Sequence, residues 1–183
     1  MLLDSEAAVI GWQANSFQLN DADGNTYYLN ELMGEKGLVI AFICNHCPYV
    51  KSIIERLVAD AKVLQTKGIN FVAINANDYE AYPEDSPAMM KQFAQQHQFY
   101  FPYLIDEDQQ VAKSFGAVCT PDFFGLNKKG ELQYRGRLDN LGIHGDPSKR
   151  MPDLINAMSQ IADDNVGPTE QMPSIGCSIK WRK

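Results

Sequence analysis

Two cysteines three residues apart, Cys44-Asn45-His46-Cys47, stand where an uninterrupted apolar run turns into a helical pattern, and that junction restricts the folds open to this chain. The run before it, Gly37-Leu38-Val39-Ile40-Ala41-Phe42-Ile43, is short and rich in β-branched and aromatic residues, as a strand buried on both faces should be. After Pro48 the period changes. Val50, Ile53, Ile54, Leu57, Ala61 and Leu64 recur at helical spacing, with Lys51, Glu55, Arg56, Asp60 and Lys62 between them and Gly68 as a stop. The cysteines are thus expected at a helix N-terminus, where unpaired backbone N–H groups and the positive end of the helix dipole favour a thiolate. His46 between them, when protonated, is expected to lower the thiol pKa further. A zinc knuckle needs four ligands, usually as a second closely spaced pair. Here Cys119 and Cys177 stand alone, so redox chemistry is the expected use of the motif and neither a metal nor a cofactor is expected.

The next apolar run, Asn70-Phe71-Val72-Ala73-Ile74-Asn75, completes a βαβ unit, which must be parallel and right-handed. The motif then lies at the carboxyl end of a central strand, where open α/β sheets carry their sites. Before this unit, 17–19 and 26–29 flank the turn-forming Asp21-Ala22-Asp23-Gly24-Asn25, giving a β-hairpin. After it, 75–87 reads as a solvated loop leading into a helix over 87–97 capped by Ser86. A short strand is expected at 101–105 and a short helix over 108–115 closed by Gly116. Thr120-Pro121 heads an apolar strand, the usual setting for a cis bond or tight bend, and Asn127-Lys128-Lys129-Gly130 turns it into an antiparallel partner over 131–138. An amphipathic helix is expected over 147–163. One domain over 1–183 accounts for all of this, with an arm at 1–15 whose Val9, Ile10 and Trp12 could pack on it, and an irregular tail at 166–183 expected to dock on it.

Charge and composition remove several classes of partner. A net charge of −7 lacks the clustered Lys and Arg that nucleic acids and anionic membranes require. No stretch approaches the roughly 20 apolar residues of a membrane span, and no basic segment precedes an apolar run near Met1, so a reducing cytoplasm is the expected setting. There, four cysteines are expected to be catalytic or free.

The order of elements with Cys44-Asn45-His46-Cys47, Cys119-Thr120-Pro121-Asp122, Tyr134-Arg135-Gly136-Arg137 and Ser174-Ile175-Gly176-Cys177-Ser178-Ile179-Lys180-Trp181 resembles the thioredoxin-fold superfamily. Within it, the chain looks like the peroxiredoxin-like branch, grouped with the alkyl hydroperoxide reductase and thiol-specific antioxidant proteins. The resemblance implies an α/β thioredoxin-like fold, with a central mixed sheet flanked by helices, an N-terminal hairpin and a docked C-terminal tail. It implies that Pro121 is cis beside a redox-active disulfide, with Cys44, Cys47, His46 and Cys119 as its surroundings. Two mechanisms follow. In a thiol-disulfide oxidoreductase, an exposed Cys44 leads and Cys47 resolves; in a thiol-dependent peroxidase, Cys47 meets the peroxide and Cys44, Cys119 or Cys177 resolves. The peroxidase pattern wants Thr or Ser where this chain has Cys44, and an arginine, for which Arg135 and Arg137 are the candidates. Expected partners are a disulfide or peroxide substrate and a thiol reductant such as thioredoxin or glutathione. A metal-binding or thiol-sensing protein using Cys44, Cys47, His46 and Cys119 is the alternative from another class.

Overall fold

Six consecutive buried residues, Gly37–Phe42, can be satisfied only in the middle of a sheet covered on both faces, and that is where the computed structural model of this chain places them. It describes residues 1–7 and 9–183. In order these form β1 (Leu2–Asp4), β2 (Gln18–Asp21), β3 (Thr26–Tyr28), α1 (Leu29–Leu32), β4 (Gly37–Phe42), α2 (Pro48–Gln65), β5 (Ile69–Asn75), α3 (Pro87–Gln96), β6 (Tyr103–Ile105), α4 (Gln110–Phe115), β7 (Cys119–Thr120), β8 (Asp122–Asn127), β9 (Leu132–Gly136), α5 (Asp153–Asp164) and β10 (Ile175–Ser178). The main sheet has the order β3-β2-β6-β5-β4-β8-β9, with β4, β5 and β6 parallel and the flanking pairings antiparallel. The expected mixed sheet and N-terminal hairpin are both present.

Alternation along β4 divides the core in two. Val39 and Ala41 face a layer built from α2, α3 and α5, through side chains such as Leu57, Met90 and Met158. Leu38, Ile40 and Phe42 face α1 and α4, through Leu32 and Phe115. On α2 the buried residues are Val50, Ile53, Ile54, Leu57, Val58, Asp60, Ala61 and Leu64. Each fully buried aliphatic side chain contributes about 1.5–3 kcal/mol, so the helix is fixed along its length and its first turn has little freedom to move.

Three expectations are revised. The last helix begins at Asp153 rather than 147, because Pro152 cannot continue a helix from the short turn at Pro147–Lys149. Ser86 does precede α3, yet its side chain makes no capping bond. The tail is not irregular throughout. Residues Ile175–Ser178 form β10, which pairs with β1 on one side and β7 on the other to make a second, three-stranded sheet. In the arm, Trp12 meets Phe115 edge to face with ring centroids 5.1 Å apart, while Val9 and Ile10 are exposed. Among the described residues, no helix is long and apolar enough to cross a membrane.

Candidate active site

Cys44 lies just past the end of β4 and Cys47 is the residue before α2. Proline at the first helical position disfavours a helical conformation for its predecessor, and Cys47 takes φ −68° and ψ 123°, the extended geometry of an N-cap. Thr120, joined to Pro121 by a cis peptide bond, closes the site from β7. Its hydroxyl is 3.3 Å from Cys44 Sγ, and its carbonyl is 3.2 Å from Cys47 Sγ, which donates to it when protonated. All four cysteines are free thiols here.

The two motif thiols act on one another and divide the negative charge unequally. The interaction with Cys44 is the main cause that brings Cys47 down to about 4, against the opposing effect of burial; backbone N–H groups of Val50 and Cys177 that face its sulfur help, although no regular capping bond closes. Cys44 goes the opposite way, held well above its ordinary value by the same interaction with Cys47, by burial and by the nearby Asp85 charge. The negative charge of the reduced pair therefore rests on Cys47. This corrects the expectation of an exposed Cys44: Cys44 is 1 % and Cys47 0 % exposed, because Asn45, Thr120 and the segment 82–85 cover the junction.

The segment 75–87 is solvated over 80–84, as its composition suggests, but Asp85 within it is buried against the motif. Asp85, 1 % exposed, accepts hydrogen bonds from the Asn45 backbone N–H at 2.7 Å and from Asn77 Nδ2 at 2.8 Å. His46 Nδ1 lies 2.7 Å from Oδ2, the oxygen that also accepts from Asn77, close enough for an ion pair though not aligned as a straight hydrogen bond. Burial pushes the Asp85 carboxyl up, but these three donors outweigh it and hold it below its ordinary 3.8. Contact with Asp85 raises His46 above its ordinary 6.5, against partial burial. The His46 ring also stacks on Tyr82, with centroids 5.7 Å apart and planes 7° from parallel. Asn45 is fixed further by donating to the Glu84 carbonyl and accepting from the buried Tyr103 hydroxyl at 3.0 Å. Asp85, Asn77 and Tyr103 were thus missed from sequence; Asp85 lies 38 residues beyond Cys47 in a stretch whose acidic neighbours are mostly exposed.

Cys119, expected at the redox centre, is not brought to it. In the β7–β10 pair Thr120 lies opposite Cys177 and Cys119 opposite Ser178, and directly opposed side chains share a face while successive ones alternate. Thr120 faces the motif, so Cys177 does too and Cys119 points away. The Cys119 thiol has only a 4.0 Å contact to the Pro121 carbonyl, and burial with the Asp122 charge pushes it up to about 12. Cys177, by contrast, is partly exposed and packs against the core cluster holding Cys44 and Cys47. Burial first, and then Cys47, push its thiol up to about 11.

Neither candidate peroxide-binding arginine is free. Arg135 donates to Asp122 and to the Gly116 carbonyl and lies over the Phe124 ring, while Arg137 pairs with Asp153 at 2.6 Å. As a cation site, Cys44, His46 and Asp85 bring ligand atoms within 4.8 Å of one another. Three such groups fall one short of a closed tetrahedral set, and the Asp85 oxygens are already engaged by Asn45, Asn77 and His46. Beside the cis proline, a cavity of about 400 Å³ is lined by Tyr49, Ile53, Pro121, Phe123, Leu138 and Leu141 among others.

Known proteins resemble this chain in sequence and in fold. Over 129 residues the chain is 27 % identical to the thiol-disulfide oxidoreductase ResA of Halalkalibacterium halodurans, a match covering 70 % of this chain and 69 % of that protein. An uncharacterized conserved protein from Geobacillus kaustophilus superposes with a TM-score of 0.91 at 42 % identity, covering 100 % of this chain and 97 % of that one. The thioredoxin domain of a thiol-disulfide oxidoreductase from Bacteroides vulgatus shares the fold, with a TM-score of 0.58 at 17 % identity over 69 % of this chain and 86 % of that one. The fold is thioredoxin-like. The model of the AhpC/TSA family matches residues 10–135, and the chain belongs to that family.

Proposed function

We propose that the protein is a thiol-disulfide oxidoreductase whose Cys44 and Cys47 cycle between dithiol and disulfide. One observation carries this reading: two buried sulfurs lie at a helix N-terminus against Thr120 of the cis Thr120–Pro121 bond, Cys44 Sγ 3.3 Å from its hydroxyl and Cys47 Sγ 3.2 Å from its carbonyl. The opposite shifts of the two thiols make Cys47 the thiolate and leave Cys44 the thiol. Cys47 thiolate attacks the disulfide presented to it, releasing one thiolate, and Cys44 then attacks Cys47, forming Cys44–Cys47 and passing its proton to the second departing thiolate. Pro121 and Thr120 hold the pair from the opposite strand. Asp85 and His46 position the turn that carries it. The name of the ResA relatives supports the same assignment. A disulfide-bearing substrate and a thiol reductant such as thioredoxin or glutathione are the partners this cycle requires.

Membership of the AhpC/TSA family and the low pKa of Cys47 favour a thiol peroxidase as the second reading. Against it stand Cys44 at the position where a hydroxyl would orient the peroxide and the commitment of both arginines to carboxylates. Reduction of insulin disulfides, measured beside stopped-flow oxidation by hydrogen peroxide, separates the two. The oxidoreductase reading expects insulin reduction to fall more than a hundredfold in either Cys44→Ser or Cys47→Ser. Rapid peroxide consumption retained in Cys44→Ser, with a sulfenic acid on Cys47, would replace it with the peroxidase reading.

A further inference from the structure

Both motif sulfurs are buried, so an account of disulfide exchange needs a route from them to a partner too large to enter. Cys177 supplies a third sulfur, partly exposed, on the last strand of the fold and packed against the cluster that holds the other two. Its placement is specific. The antiparallel register sets Cys177 directly across from Thr120, the residue that touches both motif sulfurs, and Ser178 N–H donates to the Met1 carbonyl on the far side, so β10 is held between two strands. Gly176 permits the approach. A Cβ at that position would lie 2.0 Å from the Thr120 carbonyl oxygen, which only the absence of a side chain avoids. Beyond the strand, Lys180 N–H donates to Asn77 Oδ1 and the Asn77 amide donates to Asp85, so the segment carrying Cys177 is tied to the same carboxylate that fixes Asn45.

We propose that Cys177 is a catalytic residue that relays disulfides between external partners and the buried Cys44–Cys47 pair. The inference rests on the reading of Cys44 and Cys47 given above. Towards a substrate disulfide RSSR, Cys177 Sγ attacks one sulfur; the Cys177–SR bond forms, the RS–SR bond breaks, and the departing thiolate takes up the proton Cys177 gives up. Cys47 thiolate then attacks Cys177 Sγ, forming Cys47–Cys177 and releasing the second RS⁻, which solvent protonates. Finally Cys44 attacks Cys47 Sγ, forming Cys44–Cys47 and expelling Cys177, which recovers its proton from Cys44. Two electrons have passed from the Cys44–Cys47 pair to RSSR, and Cys177 ends as it began. With an external thiol the same steps run in reverse.

The Cys47–Cys177 bond is transient when Cys44 is present and should persist when it is absent. Oxidation of Cys44→Ser with one equivalent of diamide, followed by alkylation and peptide mapping, is expected to give an intrachain Cys47–Cys177 disulfide in most of the protein. In parallel, the insulin-reducing rate of Cys177→Ser should fall tenfold or more while its Cys44–Cys47 disulfide still forms fully, and Cys119→Ser should match wild type. Cys177 left alkylated in the oxidised Cys44→Ser protein, or Cys177→Ser turning over insulin at the wild-type rate, would overturn the relay. Should wild type fail to form Cys44–Cys47 at all, the assigned function falls instead, and the mapping in Cys44→Ser still decides whether Cys177 reaches Cys47.

Discussion

Replacing Asp85 by Asn tests whether a carboxylate far from the cysteines in sequence holds their turn in place. The carboxylate meets donors from Asn45, Asn77 and His46, and is almost completely buried. An amide has one acceptor oxygen and presents N–H groups where the second oxygen stood, so at least one of the three donors is left facing another donor. A hydrogen bond to a charged group contributes about 1.5–3 kcal/mol and an orphaned buried donor costs about 1–3, while neutralising a buried carboxylate returns part of its desolvation. The net expectation is a loss of about 2–4 kcal/mol, or a fall in Tm of roughly 5–15 °C for a chain of this size. The loss also has a pH signature. Asp85 is held below its ordinary 3.8, so its contribution is present above the unfolded carboxylate pKa and disappears as pH falls through the lower folded value; His46 is raised above 6.5, so its share is full below 6.5 and disappears as pH rises through the folded value. The difference between wild type and Asp85→Asn in urea unfolding should therefore be largest between about pH 4 and 6.5 and shrink at alkaline pH. A difference below ~0.5 kcal/mol that does not vary with pH would refute the reasoning.

Other perturbations give separate readouts. His46→Ala leaves the Asp85 charge uncompensated beside Cys44, so the motif disulfide should become less oxidising by on the order of 10–30 mV in a glutathione titration, whereas an unchanged potential would show that the ring acts only on Asp85. Thiolate absorbance at 240 nm should show one group of the reduced protein titrating far below the ordinary ~8.5 of a cysteine, and its disappearance in Cys47→Ser but not in Cys119→Ser would place it. Arg135→Leu removes the partner of Asp122, a carboxyl already pushed up to about 7 by burial, which then takes up a proton; the lost hydrogen bonds should cost about 1–3 kcal/mol in urea unfolding, and a loss under ~0.5 kcal/mol would mean that the pair is dispensable.

The sequence makes the β4–α2–β5 unit legible because each part carries a strong local signal: a buried apolar strand, a helical period after Pro48, a second apolar strand. The same holds for Thr120-Pro121, whose residue types admit few placements. Where contacts are long-range, local signals mislead. Asp85 sits among exposed acidic and aromatic residues, and nothing in its neighbourhood announces that Asn45, Asn77 and His46 converge on it. Cys119 adjoins Thr120-Pro121 in sequence and so appeared to be the third thiol at the site. Strand alternation turns it away and brings in Cys177, 57 residues later than Thr120, through a pairing that no local pattern encodes. The second sheet is illegible for the same reason, since β1 and β10 are 3 and 4 residues long and lie at opposite ends of the chain. Pro152 was a legible stop, and the true start of α5 follows from it.

The central claim is that Cys44 and Cys47 form a reversible two-electron couple. Equilibrating the wild-type protein across a series of dithiothreitol redox buffers, quenching with acid and mapping the thiols measures this directly. The account predicts a single reversible transition in which Cys44 and Cys47 join to each other in every oxidised molecule, with Cys119 free throughout. Protein in which the two sulfurs never join, or in which Cys47 passes instead to a sulfinic acid that thiols do not reverse, would contradict it.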